Sequence, residues 1–226
     1  MVMTKRNPTP RRAPGRPANV RGDQRKRLLE VAAVMFSRQG IAETPLSAIA
    51  RRARVTPAML HYYFGSREQL LDALMDECIV PLIARVGAQL GAGAGEPREL
   101  ARAFVHTIIT VLSENPWLPP LWLREVLNEG GALRERLLQR GASKLAPMLA
   151  AHFTDAQKRG LLNPGLDPRL TVVSLIGLTI FPLAAQPIWR RLFDADDIGM
   201  DTLIAHTQAL IEGGLGVSTQ TQRKDS

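Results

Sequence analysis

Cysteine is nearly absent from these 226 residues, with Cys78 as the single one. An internal disulfide and a cysteine-rich zinc site are therefore excluded, and the usage suits a reducing, cytoplasmic compartment. Histidine is scarce as well. His61, His106, His152 and His206 fall on different predicted helices, and none forms an H-E-x-x-H pair, so no metal site is expected. There is no G-x-S-x-G elbow, no G-x-x-x-x-G-K loop and no G-x-G-x-x-G after a strand, and GAGAG at 91–95 reads as a flexible connection. Glu125 and Glu129 stand one helical turn apart and read as a solvated face. Nothing in the chain argues for catalysis or for a cofactor. The first 27 residues lack the apolar run of a signal peptide. The longest apolar stretch, 170–189, contains Thr171, Ser174, Thr179, Gln186 and two prolines, so a helix buried all round in a bundle fits it better than a membrane span. Alternating strand patterns are also missing.

Acidic residues are scarce at one end only. Residues 1–70 hold 14 Lys/Arg against 4 Asp/Glu, a net of +10, whereas residues 71–226 hold 15 against 17, a net of −2. A basic end on an otherwise near-neutral chain is the electrostatic footprint of a nucleic-acid binder, although a merely solubilising tail has the same composition. Residues 1–22, rich in Pro, Arg and Lys, read as a disordered basic arm. Pro14-Gly15-Arg16-Pro17 within it is similar to the core of an AT-hook, leaving a solvated tail and a minor-groove reader both open.

What is present in strength is helical punctuation. Thr44 and Pro45 supply a cap and a first-turn proline, and Thr56 and Pro57 repeat them twelve residues later. Leu46, Ile49, Ala50 and Ala53 recur at i, i+3, i+4, i+7. Two short helices separated by three or four residues are predicted, which is the helix-turn-helix layout. Phe64-Gly65 stops the second helix, and Ser66 with Gln69 forms a capping box for the next. A first helix over about 23–39, with the stripe Leu28, Leu29, Ala32, Met35 and Phe36, would hold the motif from behind. The N-terminal residues of a recognition helix reach base edges, here Thr56, Pro57, Ala58 and Met59. Thr44 and Arg67 stand at helix N-termini, where backbone amides favour a phosphate, and Arg51, Arg52 and Arg54 could add backbone contacts.

Leu28-Leu29-Glu30 to Gln39-Gly40, Thr44, Ile49-Ala50, Val55-Thr56-Pro57, Leu60, Tyr63-Phe64 and Ser66-Arg67-Glu68 together resemble the DNA-binding domain of the TetR family of transcriptional repressors, over about residues 25–75. Two positions depart from it. Arg54 stands in the turn where the family usually has Gly, so it must accept an unfavourable backbone or the turn must differ. His61 stands where the family favours Tyr. The resemblance implies phosphate contacts from aromatic hydroxyls along 61–63, with Tyr62 and Tyr63 open between phosphate and core and the contact at His61 left open by its departure from Tyr.

Beyond the motif, a long helix from Ser66 to about residue 90, kinked at Pro81, would join this unit to the rest. Further helices are predicted over about 96–114, 117–128, 133–153, 168–185, 187–193 and from Asp196 or Asp197 to 213. The fold class is all-α, an N-terminal three-helix helix-turn-helix domain plus a C-terminal helical bundle. The expected division is a basic arm at 1–22, a DNA-binding domain at 23–70, a ligand-binding and dimerisation domain at 71–216 and a polar tail at 217–226.

The family resemblance implies a homodimer through the last two long helices, with Leu170, Val173, Ile176, Gly177, Ile180, Leu203, Leu210 and Ile211 as interface candidates. It also implies a ligand cavity among the middle helices, with Phe104, Ile108, Leu112, Trp117, Trp122, Leu145, Met148 and Phe181 as lining candidates and His106, Arg124 and Glu125 as orienting polar groups. The expected function is that of a cytoplasmic, ligand-responsive transcriptional regulator, a repressor released from its double-stranded DNA operator by a small apolar molecule. The alternative is an architectural DNA-binding protein that does not switch.

Overall fold

The structure is a computed structural model that describes residues 18–91, 96–140 and 142–215. Every regular element among them is helical. The N-terminal unit consists of α1 (Ala18–Gln39), α2 (Leu46–Arg52), α3 (Pro57–Phe64) and α4 (Arg67–Leu74). α4 continues through a π turn (Met75–Ile79) into α5 (Val80–Gly91). Then come α6 (Pro97–Glu114), α7 (Leu118–Trp122), a second π turn (Leu123–Leu127), α8 (Arg134–Arg140) and α9 (Ala142–Lys158). The chain closes with α10 (Pro168–Ala184), α11 (Gln186–Phe193) and α12 (Met200–Leu215).

The start signals act as their chemistry requires. The Thr56 hydroxyl accepts from the Met59 amide at 3.2 Å ahead of Pro57. Ser66 and Gln69 satisfy both halves of a capping box. Asp167 accepts from the Arg169 amide at 2.8 Å ahead of Pro168. Arg169 also holds the Asp167 carboxyl well below the usual carboxylate range.

Local details at the helix ends differ from expectation. α1 begins at Ala18, inside the stretch expected as a disordered arm, and residues 1–17, with the AT-hook-like Pro14–Pro17 segment, lie outside the described residues. Pro45, not Thr44, is the N-cap of α2. The helix expected over 133–153 is described on either side of residue 141, as α8 and α9, with Pro147 inside the latter. Just before Pro81, where a kink is expected, lies a π turn in which the Val80 amide reaches the Met75 carbonyl. The wider turn makes room for a ring that lacks an N–H and crowds the preceding carbonyls.

Two apolar cores organise the bundle. The first joins Leu28, Phe36, Ile49, Leu60 and Leu74 of the N-terminal unit to Leu118, Leu121, Val126, Leu133 and Leu137 of α7, its π turn, the segment leading into α8 and α8 itself. One continuous core thus crosses the boundary expected near residue 70. The second gathers Val86, Phe104, Ile109, Leu149, Phe153, Val172, Leu175 and Ile211 from α5, α6, α9, α10 and α12. Among the described residues no single helix is long and apolar enough to cross a membrane, and the apolar stretch 170–189 is broken by a 69° bend between α10 and α11.

Candidate DNA-binding face and interior cavity

The turn between α2 and α3 is a Schellman closure. The Val55 amide donates to the Ala50 carbonyl at 3.0 Å and the Arg54 amide to the Arg51 carbonyl at 3.1 Å. That pairing needs a left-handed residue between Ala53 and Val55, and Arg54 supplies it with φ 57. The departure from glycine therefore leaves the turn intact and places the strain in Arg54.

α3 turns Leu60 and Phe64 inward. Thr56, Pro57, Ala58, Met59, His61 and Tyr62 stay exposed, Tyr62 to 70%, and Arg51, Arg52 and Arg54 are exposed beside them. The His61 Nδ1–H donates to the Gly65 carbonyl at 2.5 Å, which closes the end of α3 and leaves Nε2 facing outward. Tyr63 is half-buried, and its carbonyl accepts from Arg25, whose guanidinium lies 4.5 Å from the Phe64 ring centroid.

Two expected phosphate ligands are committed elsewhere. Thr44 is fully buried and its hydroxyl donates to the Gly40 carbonyl at 2.6 Å. Arg67 donates to the carbonyls of Ile41 and Thr44, clamping the loop before α2 to the start of α4. Neither side chain points out at a phosphate, because the loop's own unpaired backbone groups use them first.

Behind this unit lies a cavity of about 110 Å³ between α5, α6, α7, α9 and α10. Phe104, Ile108, Leu112, Trp122 and Leu145 line it as expected. Trp117 does not, since it packs against the first core; Met148 and Phe181 are exposed, Phe181 to 62%. Ile176 and Ile180, expected at a dimer seam, are cavity wall instead. None of the expected polar groups faces the space: His106 and Arg124 are exposed, and Glu125 is buried against backbone. Sequence reasoning missed Ile79, Leu82, Ile83 and Val86, whose i, i+3, i+4, i+7 spacing on the linker helix was a readable signal.

α10 is apolar on every side, and its two faces separate only in three dimensions. Val172, Leu175, Thr179 and Ile180 are buried, while Leu170, Val173, Gly177 and Phe181 form an exposed stripe at helical spacing. A surface groove beside it is lined by Leu170, Ser174, Leu178 and Leu210. A Cβ on Gly177 would meet nothing within 4 Å. Leu210 is exposed on α12, but Ile211 is buried in the second core and Leu203 packs against it, so both leave the seam.

Residues 28–74 match the family described as bacterial regulatory proteins, tetR family, and residues 97–212 match the tetracyclin repressor-like C-terminal domain, which alone covers half the chain. The chain belongs to the TetR family. It is 35% identical over 100 residues to the HTH-type transcriptional regulator BetI of Rhizobium meliloti (strain 1021), a match spanning 44% of this chain and 49% of that protein, or about half the relative's length. It is 23% identical over 193 residues to the HTH-type transcriptional regulator UidR of Escherichia coli (strain K12), covering 84% and 92% of the two chains. The crystal structure of AibR in complex with isovaleryl coenzyme A and operator DNA superposes with a TM-score of 0.67, at 23% identity, over 83% of this chain and 97% of that one.

In this TetR-family chain two carboxylates tie the cavity helices to the helix-turn-helix unit, and each sits in a π turn. Glu77 pairs with Arg25, which holds the Tyr63 carbonyl at the end of α3. Glu125 accepts from the Ile41 amide at 2.9 Å. A third tie joins α4 and its π turn to α8, with Arg136 and Arg140 on Asp72 at 3.0 and 2.7 Å and Arg140 on Asp76 at 3.0 Å. Burial pushes the Asp72 carboxyl up, but the two guanidiniums outweigh it and hold it below its ordinary value. Between these ties Cys78 is half-buried, and burial pushes its thiol up to about 11.

Proposed function

We propose that the protein is a homodimeric, effector-responsive repressor that binds operator DNA in the cytoplasm, with no catalytic role. Residues 23–70 form the DNA-binding domain and 71–216 the effector and dimer domain. Ala58, Met59 and Tyr62 enter the major groove with Thr56 and Pro57 at its edge, and mostly apolar side chains there read thymine methyls and groove shape. Arg51, Arg52, Arg54 and His61 track the phosphates. The dimer seam is the stripe Leu170, Val173, Gly177 and Phe181 with Leu210.

The observation that carries this reading is one continuous helical path. α4 is locked at its start to the loop before α2 through Arg67, and its continuation α5 supplies Leu82, Ile83 and Val86 to the cavity. An effector seated there bears on the same element that sets the pose of α3. It need only prefer one of two arrangements of that element.

The cavity limits the effector. Its fifteen lining residues are all hydrophobic, and a charged group left unpaired among them is strongly disfavoured. A dry apolar cavity of about 150 Å³ takes benzene, so a small branched alkyl or aryl group suits this one. The isovaleryl group bound by AibR has that size and polarity, and a polar carrier would stay outside.

The test is selection of bound duplexes from a random pool with the full chain, followed by thermal-shift screening of small apolar compounds and operator-release assays. A two-fold symmetric site, released by a compound that stabilises the protein, is expected. Enrichment of no sequence would replace the reading with an architectural DNA binder.

A further inference from the structure

We propose that Glu125 is the positioning residue that transmits the state of the cavity to the helix-turn-helix unit. This rests on the reading of the cavity as the effector site.

Leu118 and Trp122 on α7 are cavity wall, and Glu125 follows Trp122 by three residues in the π turn. It is 7% exposed. Among the described residues no Lys or Arg forms an ion pair with it. Its two oxygens are used by backbone instead, Oε1 by the Ile41 amide at 2.9 Å and Oε2 by the Ala132 amide at 3.3 Å. A hydrogen bond to a carboxylate is stronger than one between neutral groups, and breaking the 2.9 Å bond leaves a buried acceptor without that partner. Ile41 is also gripped from the other side, where its carbonyl accepts from Arg67. The loop before α2 is thus held between a carboxylate in the π turn that follows the cavity-wall helix α7 and a guanidinium on α4.

Glu125 is itself seated firmly. Its carbonyl accepts from the Leu133 amide at 3.0 Å. A Cβ on Gly131 would fall 2.3 Å from that carbonyl oxygen, so the following loop folds directly onto it. Arg134 donates to the carbonyls of Val126, Leu127 and Asn128 and holds the end of the π turn. A π turn carries one residue more than the α register, and such single turns inside helices are frequent at functional sites. An occupant that pushes Trp122 outward moves the turn, and a stiff buried link passes the motion to Ile41 and α2. Glu77 makes a parallel link through Arg25, but at a partly exposed pair that solvent and salt screen more than they screen the buried Glu125 bonds.

The experiment fills the cavity from within. Ala146 lines it, and Ala146→Leu acts as a built-in occupant; Val111→Ile serves if the first fails to fold. Operator affinity is measured for the full chain with and without Glu125→Gln, which keeps one acceptor and turns an NH₂ toward the other amide. Filling should weaken operator binding about tenfold in the native background, within the usual range of coupling, and less than about twofold in the Glu125→Gln background. Equal weakening in both backgrounds would leave the effector site standing and overturn the role of Glu125. No weakening in the native background would refute the effector reading, and this proposal with it. If Glu125→Gln does not fold, hydrogen exchange at the Ile41 amide decides. It should speed up at least about fivefold in Ala146→Leu, since protection reports local opening, and unchanged protection alongside weakened operator binding overturns the proposal.

Discussion

Arg54 is a residue under strain at an exposed position, so relieving the strain should stabilise the protein without altering its packing. The left-handed backbone costs a residue with a Cβ about 1–2 kcal/mol. Glycine removes that cost but adds about 0.5–1 kcal/mol of unfolded-chain freedom. The net gain for Arg54→Gly is on the order of 0.5–1 kcal/mol. Both hydrogen bonds of the turn are made by backbone amides and survive the change. For a chain of this size 1 kcal/mol moves Tm by about 2–4 °C, so a rise of about 1–4 °C is expected in calorimetry. Arg54→Ala is the control, because it removes the same side chain and keeps the strain, and its Tm should not rise. On operator DNA the two variants should behave alike. If the guanidinium meets a phosphate, each lowers the slope of log K against log salt by about 0.9. A glycine variant no more stable than the alanine variant would show that the turn does not hold Arg54 in the left-handed region.

Arg67→Ala should lower stability by about 2–3 kcal/mol, because it leaves two part-buried carbonyls without a charged donor, while the salt slope of DNA binding stays unchanged; a shallower slope would return Arg67 to the phosphates. Gly177→Glu should leave the helical content of the single chain unaltered, since a Cβ there meets nothing within 4 Å, yet convert dimer to monomer in sedimentation and abolish operator binding; a dimer that survives moves the seam off α10. Gly131→Ala should destabilise by about 1–3 kcal/mol through overpacking against the Glu125 carbonyl, read by urea denaturation, and a neutral result would mean that loop is free to withdraw.

The helices, the helix-turn-helix turn and the basic end were legible in the sequence because their signals are local. A cap, a first-turn proline or a capping box is complete within four residues, as Thr56-Pro57 and Ser66 with Gln69 show. The anomaly at Arg54 was readable through the family resemblance, which puts glycine there, while the hydrogen bonds of the turn decided between a strained residue and a different turn. The family was legible for the same reason, its motif being a run of such signals at fixed spacing.

Tertiary structure decided what those signals face. α10 is apolar all round, so its pattern carries no phase, and only packing against α6 and α9 assigned Ile176 and Ile180 to the cavity and Val173 and Phe181 to the surface. Thr44 and Arg67 carry the chemistry of phosphate ligands, but the carbonyls of Gly40, Ile41 and Thr44 lie closer than any phosphate. Glu125 shares its spacing with Glu129 and was indistinguishable from a solvated residue. Its burial depends on an amide 84 positions away, at Ile41. Helical periodicity is a property of one segment and is written in it; burial and hydrogen-bond partnership are properties of two segments, and exist only once the chain has brought them together.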